Sequence, residues 1–176
     1  MRRIALLCLA VAPLPAAAEC YTVDPAAGRV SFEVAQAGAP FRGSFRRFGG
    51  ELCIEGSSTV SRIDVWLDPA SVDTGLPEID AALKDKDFFA VTQYPRIAFA
   101  GQGDAGRARG TFDIKGKRGQ ADVPFRLATN SGKPTVSGTF TLDRLQYGIG
   151  TGEWSDTRWV GKDVKVDFSA TLLPKK

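Results

Sequence analysis

The chain has 176 residues, with 23 Lys and Arg against 20 Asp and Glu, a formal charge of +3. So small an imbalance, with no cluster of basic residues, argues against a nucleic-acid groove. Histidine is absent and the single methionine is Met1, which excludes histidine-based zinc sites, Ser-His-Asp catalysis and His/Met haem ligation.

The first 18 residues read as a secretory signal peptide. Arg2 and Arg3 precede the apolar run Ile4 to Val11, Pro13 and Pro15 follow, and Ala16-Ala17-Ala18 supplies small residues before Glu19. The apolar run is too short to span a bilayer. Cys20 follows Glu19 rather than a small residue, which argues against a lipidated cysteine. The expected product is periplasmic and starts near Glu19, leaving one domain over residues 19–176. Without Arg2 and Arg3, 21 basic residues face 20 acidic ones, a net charge of +1. Cys8 leaves with the signal, and the remaining Cys20 and Cys53, in an oxidising compartment, are expected to form a disulfide.

From Glu19 onward the sequence reads as strands separated by Gly, Pro, Asn and Asp turns. Val30, Phe32 and Val34 alternate with Arg29, Ser31 and Glu33, and Phe41, Gly43 and Phe45 with Arg42, Ser44 and Arg46. Leu52 and Ile54 share a face, as do Ile63, Val65 and Leu67. One short helix is expected at about 78–86, where Ile79, Ala82 and Leu83 fall on one side. Then come Ile97 and Phe99, Phe112 and Ile114, and a run through Val123, Phe125 and Leu127. Val136, Gly138, Phe140 and Leu142 follow, and Val164, Val166, Phe168, Ala170 and Leu172 close the series. About nine strands with no helical layer must bury their faces against each other, as a sandwich or as a closed barrel.

Two features invite other readings. Gly101-Gln102-Gly103-Asp104-Ala105-Gly106 satisfies the dinucleotide pattern, but a strand follows where a helix N-terminus would have to cradle the phosphates, so it reads as a hairpin turn. Asp80, Asp85 and Asp87 alternate with Lys84 and Lys86 and read as solvated helix charges, without the spacing of a calcium loop. Two long segments break the strand pattern, Leu76 to Pro95 with Phe88, Phe89 and Tyr94, and Arg144 to Lys162 with Tyr147, Trp154 and Trp159. Such loops either gate or plug the end of a barrel. All eleven phenylalanines lie after Glu19, and Gly43, Gly110, Gly138 and Ala170 share their inward register without bulk. A filled core and a cavity for one ligand are both compatible with that pattern.

Several stretches carry a resemblance. They are Tyr21-Thr22-Val23-Asp24-Pro25 leading to Val30-Ser31-Phe32, Gly43-Ser44-Phe45 with Phe48, and Ala70-Ser71-Val72-Asp73-Thr74. Leu83-Lys84-Asp85-Lys86-Asp87-Phe88-Phe89 and Tyr94-Pro95-Arg96-Ile97-Ala98-Phe99 follow, then Arg144-Leu145-Gln146-Tyr147-Gly148-Ile149-Gly150 and Val160-Gly161-Lys162-Asp163-Val164. In this order they make the chain from Glu19 resemble the YceI-like family of periplasmic lipid-binding proteins over essentially its whole length. Gly28-Arg29 stands where that family commonly has His-Ser, and Tyr147 where it has Phe.

The resemblance implies an all-β, extended, antiparallel lipocalin-like barrel of about eight strands that holds a polyisoprenoid chain in its lumen. Gln36 to Phe41 with Gly152-Glu153-Trp154 resembles the branch found beside or fused to di-haem b-type membrane cytochromes. That adds an isoprenoid quinone to the expected ligands and a membrane b-type cytochrome, as a separate chain, to the expected partners. No covalent cofactor is expected, and the oligomeric state, a dimer included, stays open. The expected luminal residues are Phe32, Phe45, Val65, Phe99, Phe112, Phe125, Phe140 and Phe168. Leu83, Phe88 and Phe89 are expected to flank the mouth, and Arg144, Tyr147 and Trp154 to meet a head group there. The leading expectation is a periplasmic carrier or binding protein, not an enzyme. The alternatives are an accessory module of a membrane cytochrome complex and an enzyme acting on the bound isoprenoid.

Overall fold

The structure, a computed structural model, describes residues 18–175; residues 1–17 of the expected signal peptide lie outside it. Eleven strands form one curled antiparallel sheet: β1 (Glu19–Gln36), β2 (Ala39–Phe45), β3 (Phe48–Glu55), β4 (Thr59–Leu67), β5 (Val72–Asp73), β6 (Ile97–Asp104), β7 (Arg107–Ile114), β8 (Lys117–Pro124), β9 (Arg126–Asn130), β10 (Lys133–Asp143) and β11 (Val160–Pro174). Hydrogen bonding runs in the order β8-β7-β6-β4-β3-β1-β11-β10, with β9 outside β10. Those first eight strands surround the interior. The two ends of this curled sheet come together where the Pro124 carbonyl of β8 lies against Gly138 of β10, with no ladder between the two strands. This is the barrel-like all-β fold of about eight strands that the family resemblance implied.

Two breaks give the barrel its length. Strand β1 pairs with β3 through Glu19–Thr22 and with β2 through Val30–Gln36, while β11 runs beside both halves. Between them the register jumps from Asp24↔Thr171 to Gly28↔Ala170. Pro25, which has no N–H to give to a ladder, bulges out with Ala26 and Ala27. The bulge resets the alternation, so that Val23 and Val30 both point inward. The second break corrects a sequence expectation. The run Val123 to Leu127 is two strands, parted at Phe125, whose N–H turns to the Gly106 carbonyl at 2.8 Å. Strand β8 therefore stays with β7 while β9 joins β10, and the chain crosses the seam of the barrel at that point.

The one α-helix among the described residues, α1 (Pro77–Lys84), is shorter at its end than the expected 78–86. Pro77 sits in the first turn, where its missing N–H costs nothing, and Glu78 and Asp80 face the positive end of the helix. Asp85 already has extended backbone angles, φ −72° and ψ 170°. The dinucleotide-like glycine run is the β6–β7 hairpin, as expected, with Ala105 and Gly106 at its turn at φ 49° and 80°.

Cys20 of β1 lies directly opposite Cys53 of β3 and is bonded to it, with Cα atoms 4.0 Å apart. The bond reinforces the short β1–β3 ladder at the end of the barrel away from α1. Closing a loop between residues 33 apart in sequence stabilises by about 4 kcal/mol in the chain-entropy model. The Cys20→Ala, Cys53→Ala double variant is expected to lose about that much in urea unfolding. Untreated native protein should show no free thiol on titration, and reduced protein two.

Candidate functional site

The inward faces of the strands enclose two apolar cavities, each of about 180 Å³. The lower one is bounded by Leu52, Val60, Ile63, Ala108, Val123 and Val136. At this end of the barrel Val60 and Leu172 are 0% exposed. The upper one lies between Phe41 and Phe45 of β2, Val160 and Val164 of β11, and Ile79, Ala82 and Leu83 of α1. The large apolar side chains that stand exposed among the described residues, Leu76 and Trp159, sit beside this upper cavity. Leu76 immediately precedes α1, and Trp159 immediately precedes Val160.

The space exists because phenylalanine rings lie along the wall. Phe32 is paired across β1–β2 with Gly43, and a methyl group on that glycine would come within 2.5 Å of the ring. Phe168 lies over its cross-strand partner Gly138 in the same way, at 2.6 Å. Phe99 covers Gly110, and Phe125 covers Gly103, each at 2.8 Å. The inward glycines are therefore occupied by neighbouring rings rather than being the empty space themselves. A ring laid on a glycine of the next strand takes little of the lumen, so the barrel keeps an unfilled centre.

The two long segments meet over the upper cavity as one cover. Gly150 N–H and Thr151 N–H donate to the Asp87 carbonyl at 2.8 and 3.0 Å. Lys115 Nζ donates to the carbonyls of Lys86 and Gly148, both at 2.8 Å, and burial lowers its pKa. The Phe88 and Trp154 rings pack at 5.6 Å, and Phe89 meets Phe45 edge-on at 5.7 Å. Asp80, offered by the sequence as part of a carboxylate cluster, accepts from Thr74 N–H and Oγ1 at 2.8 and 2.7 Å. On the outer side of the cover, Arg158 holds the Asp156 carboxyl down at a pKa of about 2.

Arg144 borders the upper cavity, but it has no donor left to offer a ligand there. It is 2% exposed, and its five N–H groups all go to backbone. Nε donates to Gly161 O (2.8 Å), Nη1 to Ile149 O (2.8 Å) and Gly150 O (3.0 Å), and Nη2 to Trp154 O (2.8 Å) and Val160 O (2.6 Å). A guanidinium has no sixth donor for a head group. Burial lowers its pKa from the ordinary value, yet a guanidinium stays charged in proteins. Gly150, at φ 73°, leaves the room that Nη1 needs, because a methyl group there would collide with it. The Arg-x-x-Tyr-Gly-Ile-Gly stretch is thus a loop-folding device.

Tyr147 also moves from its expected place. It borders neither cavity but is buried in the barrel core at 3% exposure, with its hydroxyl against Gly119 of β8. Burial raises its pKa. The remaining expected residues do border the space: Val65, Phe99, Phe125 and Phe168 the lower cavity, and Phe32, Phe45, Leu83, Phe88, Phe89 and Trp154 the upper. Phe112 and Phe140 border both. The sequence reading passed over Phe41, Ile79, Ile97 and Val166, although their positions in the alternation already marked them as inward.

Polar chemistry is almost absent from this space. The buried polar side chains among the described residues are Arg144 and Ser71. Ser71 Oγ is engaged by Asp68 O and Arg47 N–H at 2.6 and 2.9 Å.

Residues 21–172 match the model of the YceI-like domain. The chain belongs to the YceI-like family. Among solved structures it is similar to BcnA of Burkholderia cenocepacia, with 28% identity, a TM-score of 0.78, and 85% of this chain and 98% of that one covered. It shares its fold with a polyisoprenoid-binding domain from Saccharophagus degradans, at 18% identity and a TM-score of 0.73 over 88% of this chain and 98% of that one. A UPF0312 protein of Vibrio parahaemolyticus is 28% identical over 150 residues, covering 83% of this chain and 72% of the relative. A UPF0312 protein of Azotobacter vinelandii is 32% identical over 89 residues, 49% of this chain and 46% of the relative. That match spans less than half the length of the Azotobacter protein.

In this YceI-like barrel, Arg144→Met is expected to leave five carbonyls without their donor and to cost at least about 3 kcal/mol of stability in urea unfolding, each charge-assisted bond contributing about 1.5–3 kcal/mol. Arg144→Lys should restore little of it, since three ammonium donors cannot span a five-carbonyl fork.

Proposed function

We propose that this protein is an exported lipid-binding protein whose barrel lumen holds the tail of an isoprenoid lipid, a polyprenyl chain or an isoprenoid quinone, in the periplasm. The observation that carries the reading is the lumen itself: apolar from the buried end at Val60 to the cover at α1, and left unfilled. Burying an apolar chain there gains roughly 25 cal/mol for each Å² removed from water, without any need for directional contacts. Methyl-branched chains suit walls of Phe, Val, Leu and Ile, which follow shape rather than read individual atoms. The YceI-like membership and the fold shared with a polyisoprenoid-binding domain support the same ligand class.

The reading is of binding rather than catalysis. A proton-transferring group has to reach the reacting atom within hydrogen-bond distance. The two buried polar side chains are both held by backbone partners. Recognition of a head group then falls to the upper rim, where Gln36 and Trp154 border the cavity.

Native mass spectrometry of protein taken from the periplasm without detergent tests this, followed by organic extraction. One isoprenoid per chain, recovered chemically unchanged, is the expected result. An apo mass across the whole population, or an extract holding only straight-chain fatty acids, would overturn it.

A further inference from the structure

The two cavities are not one smooth tunnel. They share six lining residues: Val30 of β1, Leu67 of β4, Ile97 of β6, Phe112 of β7, Phe140 of β10 and Val166 of β11. These come from six of the eight strands of the ring, so they form a waist around the lumen. On one side of it, the Phe112 and Phe140 rings stack at 5.5 Å with planes 23° apart. They belong to a chain of rings in contact, Phe99 to Phe112 at 4.8 Å and Phe140 to Phe168 at 6.2 Å. Only the outer two of these four are seated over glycines, Gly110 and Gly138. Phe112 and Phe140 are the rings that stand between the chambers.

At the lower end Val60 and Leu172 are 0% exposed, whereas the upper chamber lies under a cover of short elements, with exposed Leu76 just before α1 and exposed Trp159 just before Val160. A ligand that enters beneath this cover reaches the lower chamber by way of the upper one. Its tail must pass the Phe112–Phe140 pair and gains the lower walls only afterwards.

We propose that this aromatic waist makes the lumen a chain-length discriminator. Short isoprenoids bind in the upper chamber alone, and only chains long enough to thread Phe112 and Phe140 draw affinity from the lower chamber. The inference rests on the lumen holding an isoprenoid tail, and adds which lengths it holds tightly and why. The tail must also be a single flexible chain at that level, because six side chains surround it there.

Farnesol and solanesol, a short and a long all-trans prenol with the same hydroxyl head group, are the probes. Their equilibrium occupancies are measured by native mass spectrometry from a fixed detergent background. Two variants remove the lower chamber by different routes, Phe140→Trp blocking the waist and Ala108→Leu filling the space beneath it. Melting temperature and far-ultraviolet circular dichroism establish that each is folded. Both variants should weaken solanesol by about tenfold or more, the equivalent of about 1.4 kcal/mol, while in Ala108→Leu, which touches only the lower chamber, farnesol changes by less than about twofold. Equal weakening of both probes in Ala108→Leu, or no weakening of solanesol in either folded variant, would overturn the waist. Wild-type protein that binds neither probe would instead overturn the isoprenoid reading, and the waist with it.

Discussion

Cross-strand pairing of phenylalanine with glycine is the constraint on which the rest of the molecule depends. A barrel of this size can fill its lumen with side chains, and inward rings on most strands would do so if they pointed at the axis. Here Phe32 lies on Gly43 and Phe168 on Gly138. Each ring buries its own face against backbone while the centre of the barrel stays open. The open centre leaves apolar surface that the protein alone does not cover, which is the physical ground for a lipid occupant.

An unfilled barrel needs its walls and ends held by other means. At the end away from α1 the Cys20–Cys53 bond joins the shortest ladder of the ring, and Val60 and Leu172 are fully buried. At the other end Arg144 gathers five carbonyls from Ile149 to Gly161 around one guanidinium. That arrangement satisfies loop backbone that would otherwise be buried without partners. Asp87 and Lys115 then join this loop to the end of α1. The elements that cover the upper chamber are fixed through backbone carbonyls, so their apolar side chains are free to face the cavity.

Much of this was legible in the sequence because period-two alternation survives folding. Phe32, Phe99, Phe140 and Phe168 face inward as their spacing requires, and Cys20 meets Cys53. The departures have local causes. Pro124 and Phe125 divide a run that alternates without interruption, because proline cannot extend a ladder and the next N–H turns to Gly106. Gly43 and Gly138 look like missing bulk in a linear pattern, and only the cross-strand register reveals which ring lies on each. Arg144 and Tyr147 stand in a long loop with aromatic neighbours, a pattern that suits a mouth equally well. Their burial follows from contacts with Gly161 and Gly119, residues that no local spacing connects to them.

The central claim is that the lumen holds one flexible apolar chain. A high-resolution crystal structure of protein purified from the cells that make it, without detergent or added lipid, tests it most directly. The account predicts continuous density for one methyl-branched chain running from beneath α1, past Phe112 and Phe140, toward Val60. Rings folded into the axis that close both chambers, or a lumen holding only ordered water, would contradict it.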